Sequence, residues 1–154
     1  MKVDPLQKAR AYCFLLLKFR LRSEKEIYQR LKNKRFDEQI IRETLRFLKD
    51  KEFLDDNLFA KSWIEFRLKR PLGIRRIRQE LKLKGIDEET IDAKLAEAKN
   101  GYSEEEIVEG IVRKRLKSFK KEEFATAKRR LFAYLMRRGF SAEIASDAIN
   151  KTGP

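Results

Sequence analysis

The chain has 154 residues, 42% of them apolar and 41% charged, with 38 Lys plus Arg against 25 Asp plus Glu and a net charge of +13. That length fits one domain or a few small modules, the apolar share is enough for packed cores, and the basic balance suits a polyanionic or acidic partner. With no His and a single Cys, zinc clusters, His-based triads and disulfide scaffolds are excluded. No cofactor, metal or catalytic constellation is expected, so the chain is read as a non-enzyme.

Six Gly and three Pro leave few breakers, and apolar residues recur at three and four rather than at two, so helices are expected throughout. A first helix is expected from Pro5 through Ala9, Tyr12, Leu16 and Phe19. Cys13 lies in the run from Ala11 to Leu17, seven apolar residues against the ~20 of a membrane span, and no cleavage site follows. A mature cytoplasmic protein without a membrane segment is expected, with Cys13 a core residue and not a nucleophile. Ser23 with Glu26 forms a capping box for a second helix, and Asp37 caps a third reaching about Lys51. Asp55 or Asp56 caps the first helix of a new unit, an N-cap and its neighbour in preference to a metal site. Trp63, spaced from Phe59 and Phe66 as a buried stripe, is read as core in preference to a base-stacking residue.

The apolar pattern repeats. Ile27, Leu31, Phe36, Asp37, Ile41 and Leu45 recur as Ile77, Leu81, Ile86, Asp87, Ile91 and Leu95, then as Leu131, Leu135, Phe140, Ser141, Ala145 and Ile149. Upstream, Tyr12, Leu16 and Phe19 match Phe59, Trp63 and Phe66, with extra loop residues around Pro71 and Gly73; in the third unit Ile107 and Ile111 fit more loosely. The expected fold is all-α: three tandem three-helix repeats, about residues 5–52, 53–102 and 103–151, in an elongated, curved row, since ~50-residue units are marginal alone. Asn100 and Gly101 mark the expected hinge.

The densest basic stretch is Arg67, Lys69, Arg70, Arg75, Arg76, Arg78, Lys82 and Lys84, with Glu80 its only acid. Ile74, Ile77 and Leu81 face inward, which leaves Arg75, Arg78 and Lys82 on one stripe beside the buried face. The third unit adds Arg113, Lys114, Arg115, Lys117, Lys120, Lys121, Lys128, Arg129, Arg130, Arg137 and Arg138. Phosphate contact and an ordinary solvated face remain two readings of these cations. Acidic clusters at Asp87, Glu88 and Glu89, and at Ser103 with Glu104, Glu105 and Glu106, are read as helix starts.

Leu54, Asp55, Asp56, Phe59, Ala60 and Trp63, followed by Arg67, Gly73, Arg76, Ile77, Glu80, Leu81, Lys84, Gly85 and Ile86, resemble the signature of RecX proteins, bacterial regulators of the RecA recombinase. Arg22, Ser23, Glu26, Ile27 and Leu31 resemble that family's first repeat, and Leu135, Arg138, Gly139 and Phe140 its last. Ile74 departs from the pattern, which favours a small residue or Pro after the Gly. The resemblance spans about residues 9–150. It implies a crescent of three three-helix repeats that lies in the groove of the RecA nucleoprotein filament, touches several subunits, suppresses ATP hydrolysis and strand exchange and opposes recombination; some members also bind DNA. The matching motif residues are expected to be structural. The contact surface is therefore sought among the cations Arg67, Lys69, Arg70, Arg75, Arg76, Arg78, Lys82, Arg113, Arg115, Lys117, Lys128 and Arg129. A monomer is expected, with the RecA filament as partner and single- or double-stranded DNA as the alternative.

Overall fold

A computed structural model describes residues 3–98 and 102–152; the expected hinge at Asn100 and Gly101 lies outside them. Among the described residues there are nine α-helices, one short 3-10 turn and no strand. The first repeat holds α1 (Pro5–Phe19), α2 (Glu24–Asn33) and α3 (Glu38–Asp50). The second holds α4 (Asp56–Leu68), α5 (Ile74–Leu83) and α6 (Glu88–Ala98), and the third α7 (Glu104–Leu116), α8 (Phe124–Arg137) and α9 (Ala142–Lys151), with the 3-10 turn Lys121–Glu123 before α8.

The starts are written locally. Both halves of the Ser23–Glu26 capping box form, with Glu26 N donating to Ser23 Oγ at 3.2 Å and Ser23 N donating to Glu26 Oε1 at 3.1 Å. Asp55 caps α4 by accepting from Asn57 N at 2.9 Å, and Asp87 caps α6 by accepting from Thr90 N at 2.7 Å. Ser103 and Ser141 do the same for α7 and α9. Asp37 precedes α3 as expected, but its side chain makes no capping bond.

The second helix of every repeat ends in one motif. The residue after the C-cap is left-handed, Arg35 at φ 63°, Gly85 at 82° and Gly139 at 85°. The next amide reaches back five residues, from Phe36 to Leu31 O, Ile86 to Leu81 O and Phe140 to Leu135 O. This is the Schellman turn, and it buries the apolar pair whose spacing marks the repeat in the sequence, Leu81 with Ile86 and Leu135 with Phe140, while in the first repeat Leu31 is buried and Phe36 half-buried.

Cores follow the three-and-four pattern. In the first repeat Ala9, Cys13 and Leu16 of α1 pack with Ile27, Leu31, Ile41, Leu45 and Leu48. In the third, Val108, Val112 and Leu116 pack with Leu131, Leu135, Phe140, Ala145 and Ile149. The expected stripe on the first helices is displaced at its end: Phe19 is 76% and Phe66 54% exposed, whereas Ile64 is fully buried. Both helices carry apolar residues on more than one face, so spacing alone admits two stripes.

The chain divides into two compact units that cut across the second repeat. One comprises Met1–Trp63 with Leu81–Lys94, the other Ile64–Glu80 with Leu95–Pro154. Each contains one junction between consecutive repeats.

Candidate partner-binding surface

The family-motif residues are occupied inside the protein. In the first unit Asp55 caps its own helix, while Asp56, one residue on, turns to the preceding repeat and accepts from Glu24 N, the first amide of α2, at 2.9 Å. Burial pushes the Asp56 carboxyl above its ordinary value. Ser23 Oγ donates to Lys84 O at 2.7 Å, and Lys84 Nζ pairs with Glu26 at 3.1 Å while lying 5.3 Å from the centre of the Trp63 ring. Trp63 is half-buried and stacks on the buried Phe59 at 5.8 Å. A Cβ on Gly85 would come within 2.7 Å of Lys25 Cβ.

The second unit repeats this junction with different side chains. Glu104 Oε1 accepts from Ile74 N, the first amide of α5, at 3.1 Å. Gly73 N donates to Arg138 O at 2.8 Å, in the place where Ser23 used its hydroxyl. A Cβ on Gly73 would lie 2.1 Å from the Gly139 carbonyl, so only glycine admits this approach. Tyr102 donates its hydroxyl to Leu72 O at 2.5 Å, and burial together with Glu104 pushes that phenol up to about 12. Glu80 receives Arg67 in a two-pronged pair, Nε at 2.8 Å and the other guanidinium nitrogen alongside, and Arg76 approaches it at 3.5 Å. That contact holds the Arg67 guanidinium above its ordinary value. Ala60, Ile77 and Leu81 are fully buried.

The cations separate into two groups. In the middle repeat most have work inside the fold: besides Arg67 and Arg76, Arg75 donates to Met136 O and Arg76 to Arg137 O, each at 3.2 Å, at the carbonyl end of α8 where positive charge is favoured. Lys82 pairs with Glu88 at 2.6 Å, and Arg78 is half-buried. In the third repeat Arg115 lies 4.0 Å above the Tyr134 ring. By contrast Lys69, Arg70, Arg113, Lys114, Lys117, Lys120, Lys128, Arg129 and Arg130 make no ion pair and no side-chain hydrogen bond among the described residues, and seven of these nine belong to the third repeat. Lys128, Arg129 and Arg130 follow the buried Ala127 and precede the buried Leu131 on α8. What residue type alone concealed is the partner of each cation: Glu80 and Glu88 of the same repeat receive Arg67, Arg76 and Lys82, whereas Arg75 and Arg76 also reach carbonyls of the third repeat and Lys84 an acid of the first. Among the described residues no three Asp, Glu, Cys or His side chains gather as metal ligands, and no helix is long and apolar enough to cross a membrane.

Comparison with known proteins agrees with this architecture repeat by repeat. Residues 9–48 match the first three-helix domain of RecX, residues 55–95 the second and residues 103–149 the third. A protein of Mycobacterium sp. (strain KMS) named Regulatory protein RecX is 35% identical over 148 residues, covering 93% of this chain and 80% of its own length. Another of the same name from Mannheimia succiniciproducens is 35% identical over 140 residues, with 90% of each covered. The crystal structure of RecX from Lactobacillus salivarius superposes with a TM-score of 0.81 at 21% identity over 96% of both chains, and a second crystal structure of a regulatory protein RecX gives 0.82 at 23%, over 97% of this chain and 74% of that one. With three of its domains matched in order, the chain belongs to the RecX family.

Proposed function

We propose that the chain regulates the RecA recombinase by binding the RecA nucleoprotein filament, spanning several subunits and suppressing ATP hydrolysis and strand exchange. The observation that supports this most is the run of three RecX domains in order over residues 9–149, each with its own helices and buried residues. Modest contacts linked in series raise affinity through effective concentration, which suits a polymeric partner that offers the same surface again and again. The contact surface is drawn from the cations with no ion pair or side-chain hydrogen bond among the described residues, chiefly those of the third repeat with Lys69 and Arg70. The protein acts by binding and not by catalysis, in the cytoplasm and as a monomer.

The unpaired cations also favour a second reading, non-specific binding to DNA. The two separate in a pull-down of the full chain against RecA assembled on single-stranded DNA with a slowly hydrolysed nucleotide, beside bare DNA, at ~150 mM salt, where purely phosphate-driven binding is weak. Retention on the RecA-coated strand with inhibition of its ATPase supports the regulator. Equal retention on both with no effect on ATP hydrolysis supports the DNA-binding reading.

A further inference from the structure

The two junctions are built to one plan, and both ends of the chain depart from it. A junction needs three things. The following repeat supplies a carboxylate at the first position of its first helix (Asp56 or Glu104), which caps the second helix of the repeat before it at Glu24 N or Ile74 N. It also supplies a left-handed glycine, Gly85 or Gly139, whose missing Cβ makes room for Lys25 or Arg76. The preceding repeat supplies a second helix that begins right there, so that its first amide is free to receive the cap.

At the front of the first repeat, both features of the incoming set are changed. By packing register, Ala9 stands where Asp56 and Glu104 stand, four residues before the buried Cys13 as Asp56 is before Ala60 and Glu104 before Val108. It is fully buried, and α1 runs a further turn back to Pro5. The left-handed residue is Arg35, which keeps φ 63° although glycine is the ordinary occupant of that conformation. At the back of the third repeat the receiving site is closed. Lys128 is the repeat equivalent of Glu24 and Ile74, but α8 starts at Phe124, one turn earlier, with the 3-10 turn Lys121–Glu123 before it. The Lys128 amide thus falls inside the helix, past the first turn whose amides are free.

We infer that the repeat junction is a transferable docking interface and that both ends of the chain are capped against it: Ala9 with the extra turn of α1 and Arg35 at the front, the extra turn of α8 at the back. The excluded partner is a repeat of the same kind carried by a second copy of this chain. The caps prevent head-to-tail stacking of these repeats on those of a second copy.

The test compares two lengthened chains with the natural one. In the first, residues 53–102 are duplicated in tandem, so the added junction has Asp56, Gly85 and the α5 start on its two sides. In the second, residues 3–52 are duplicated, so the added junction would have to form on Ala9 and Arg35. The first is expected to melt in one transition and to resist protease at its full four-repeat length. The second is expected to be trimmed by protease to the natural length, and the natural chain to sediment as a monomer at all concentrations. Docking of the duplicated first repeat, failure of the duplicated second repeat to dock, or concentration-dependent head-to-tail oligomers of the natural chain would each overturn the inference.

Discussion

Glu26 shows how much one side chain can carry at a junction. It closes the capping box of α2 and receives Arg20 and Lys84 besides. Burial pushes its carboxyl up, but the bonds from Arg20, Ser23 N and Lys84 outweigh this and hold it below the ordinary 4.5. An acid whose folded value is depressed contributes stability in full above the unfolded value and loses it as pH falls through the folded one. Glu26→Gln is therefore expected to cost about 1–2 kcal/mol near neutrality, with its melting curve converging on that of the natural chain as pH drops below 4.5; a gap that persists at pH 3 would show that ionisation of Glu26 is not the source. Cys13 makes the opposite case. Burial in the first repeat pushes its thiol up to about 12, so maleimide labelling should follow unfolding and stay slow between pH 7 and 9, where a free thiol would ionise.

At the scale of the helices, glycine and arginine occupy the same left-handed position for different reasons. Gly85→Ala forces a side chain to φ 82° and to within 2.7 Å of Lys25 Cβ, so it should lower the melting temperature by roughly 3–8 °C, corresponding to about 1–3 kcal/mol. Arg35→Gly removes left-handed strain but frees the unfolded chain by a similar amount, so its melting point should hardly move. Equal losses at both positions would mean that the Arg35 side chain makes stabilising contacts that outweigh its left-handed strain. These helices are legible in the sequence because each repeat carries its own caps and apolar spacing: Ser23, Asp55, Asp87, Ser103 and Ser141 all cap where their residue types place them. Spacing does not reveal which of two apolar stripes is buried, hence the exposed Phe19 and Phe66. Nor does it reveal the junctions, because Asp56, Gly73 and Arg75 act on backbone groups of another repeat that no local pattern names.

For the whole molecule the division of the second repeat decides which experiment is clean. Ile64–Glu80 packs in one compact unit with the third repeat, so truncation after residue 102 would strip that segment of its junction and confuse folding with binding. Charge reversal keeps the fold. Lys128→Glu, Arg129→Glu and Arg130→Glu together alter three cations that have no ion pair or side-chain hydrogen bond among the described residues and flank the buried face of α8, so helicity and the melting temperature should be preserved. If the chain inhibits the RecA ATPase as proposed, that inhibition should nevertheless fall by at least tenfold, because releasing one end of a linked series would also lower the effective concentration at which the other modules meet the filament. The salt dependence then identifies what the three residues touch. If they meet phosphates, the slope of log affinity against log salt should flatten by roughly three units; if they meet acidic groups on the recombinase, affinity should drop without a flattening of that size. Undiminished inhibition by the triple variant would remove this stretch of α8 from the contact surface and leave Lys69, Arg70, Arg113, Lys114, Lys117 and Lys120 as the candidates.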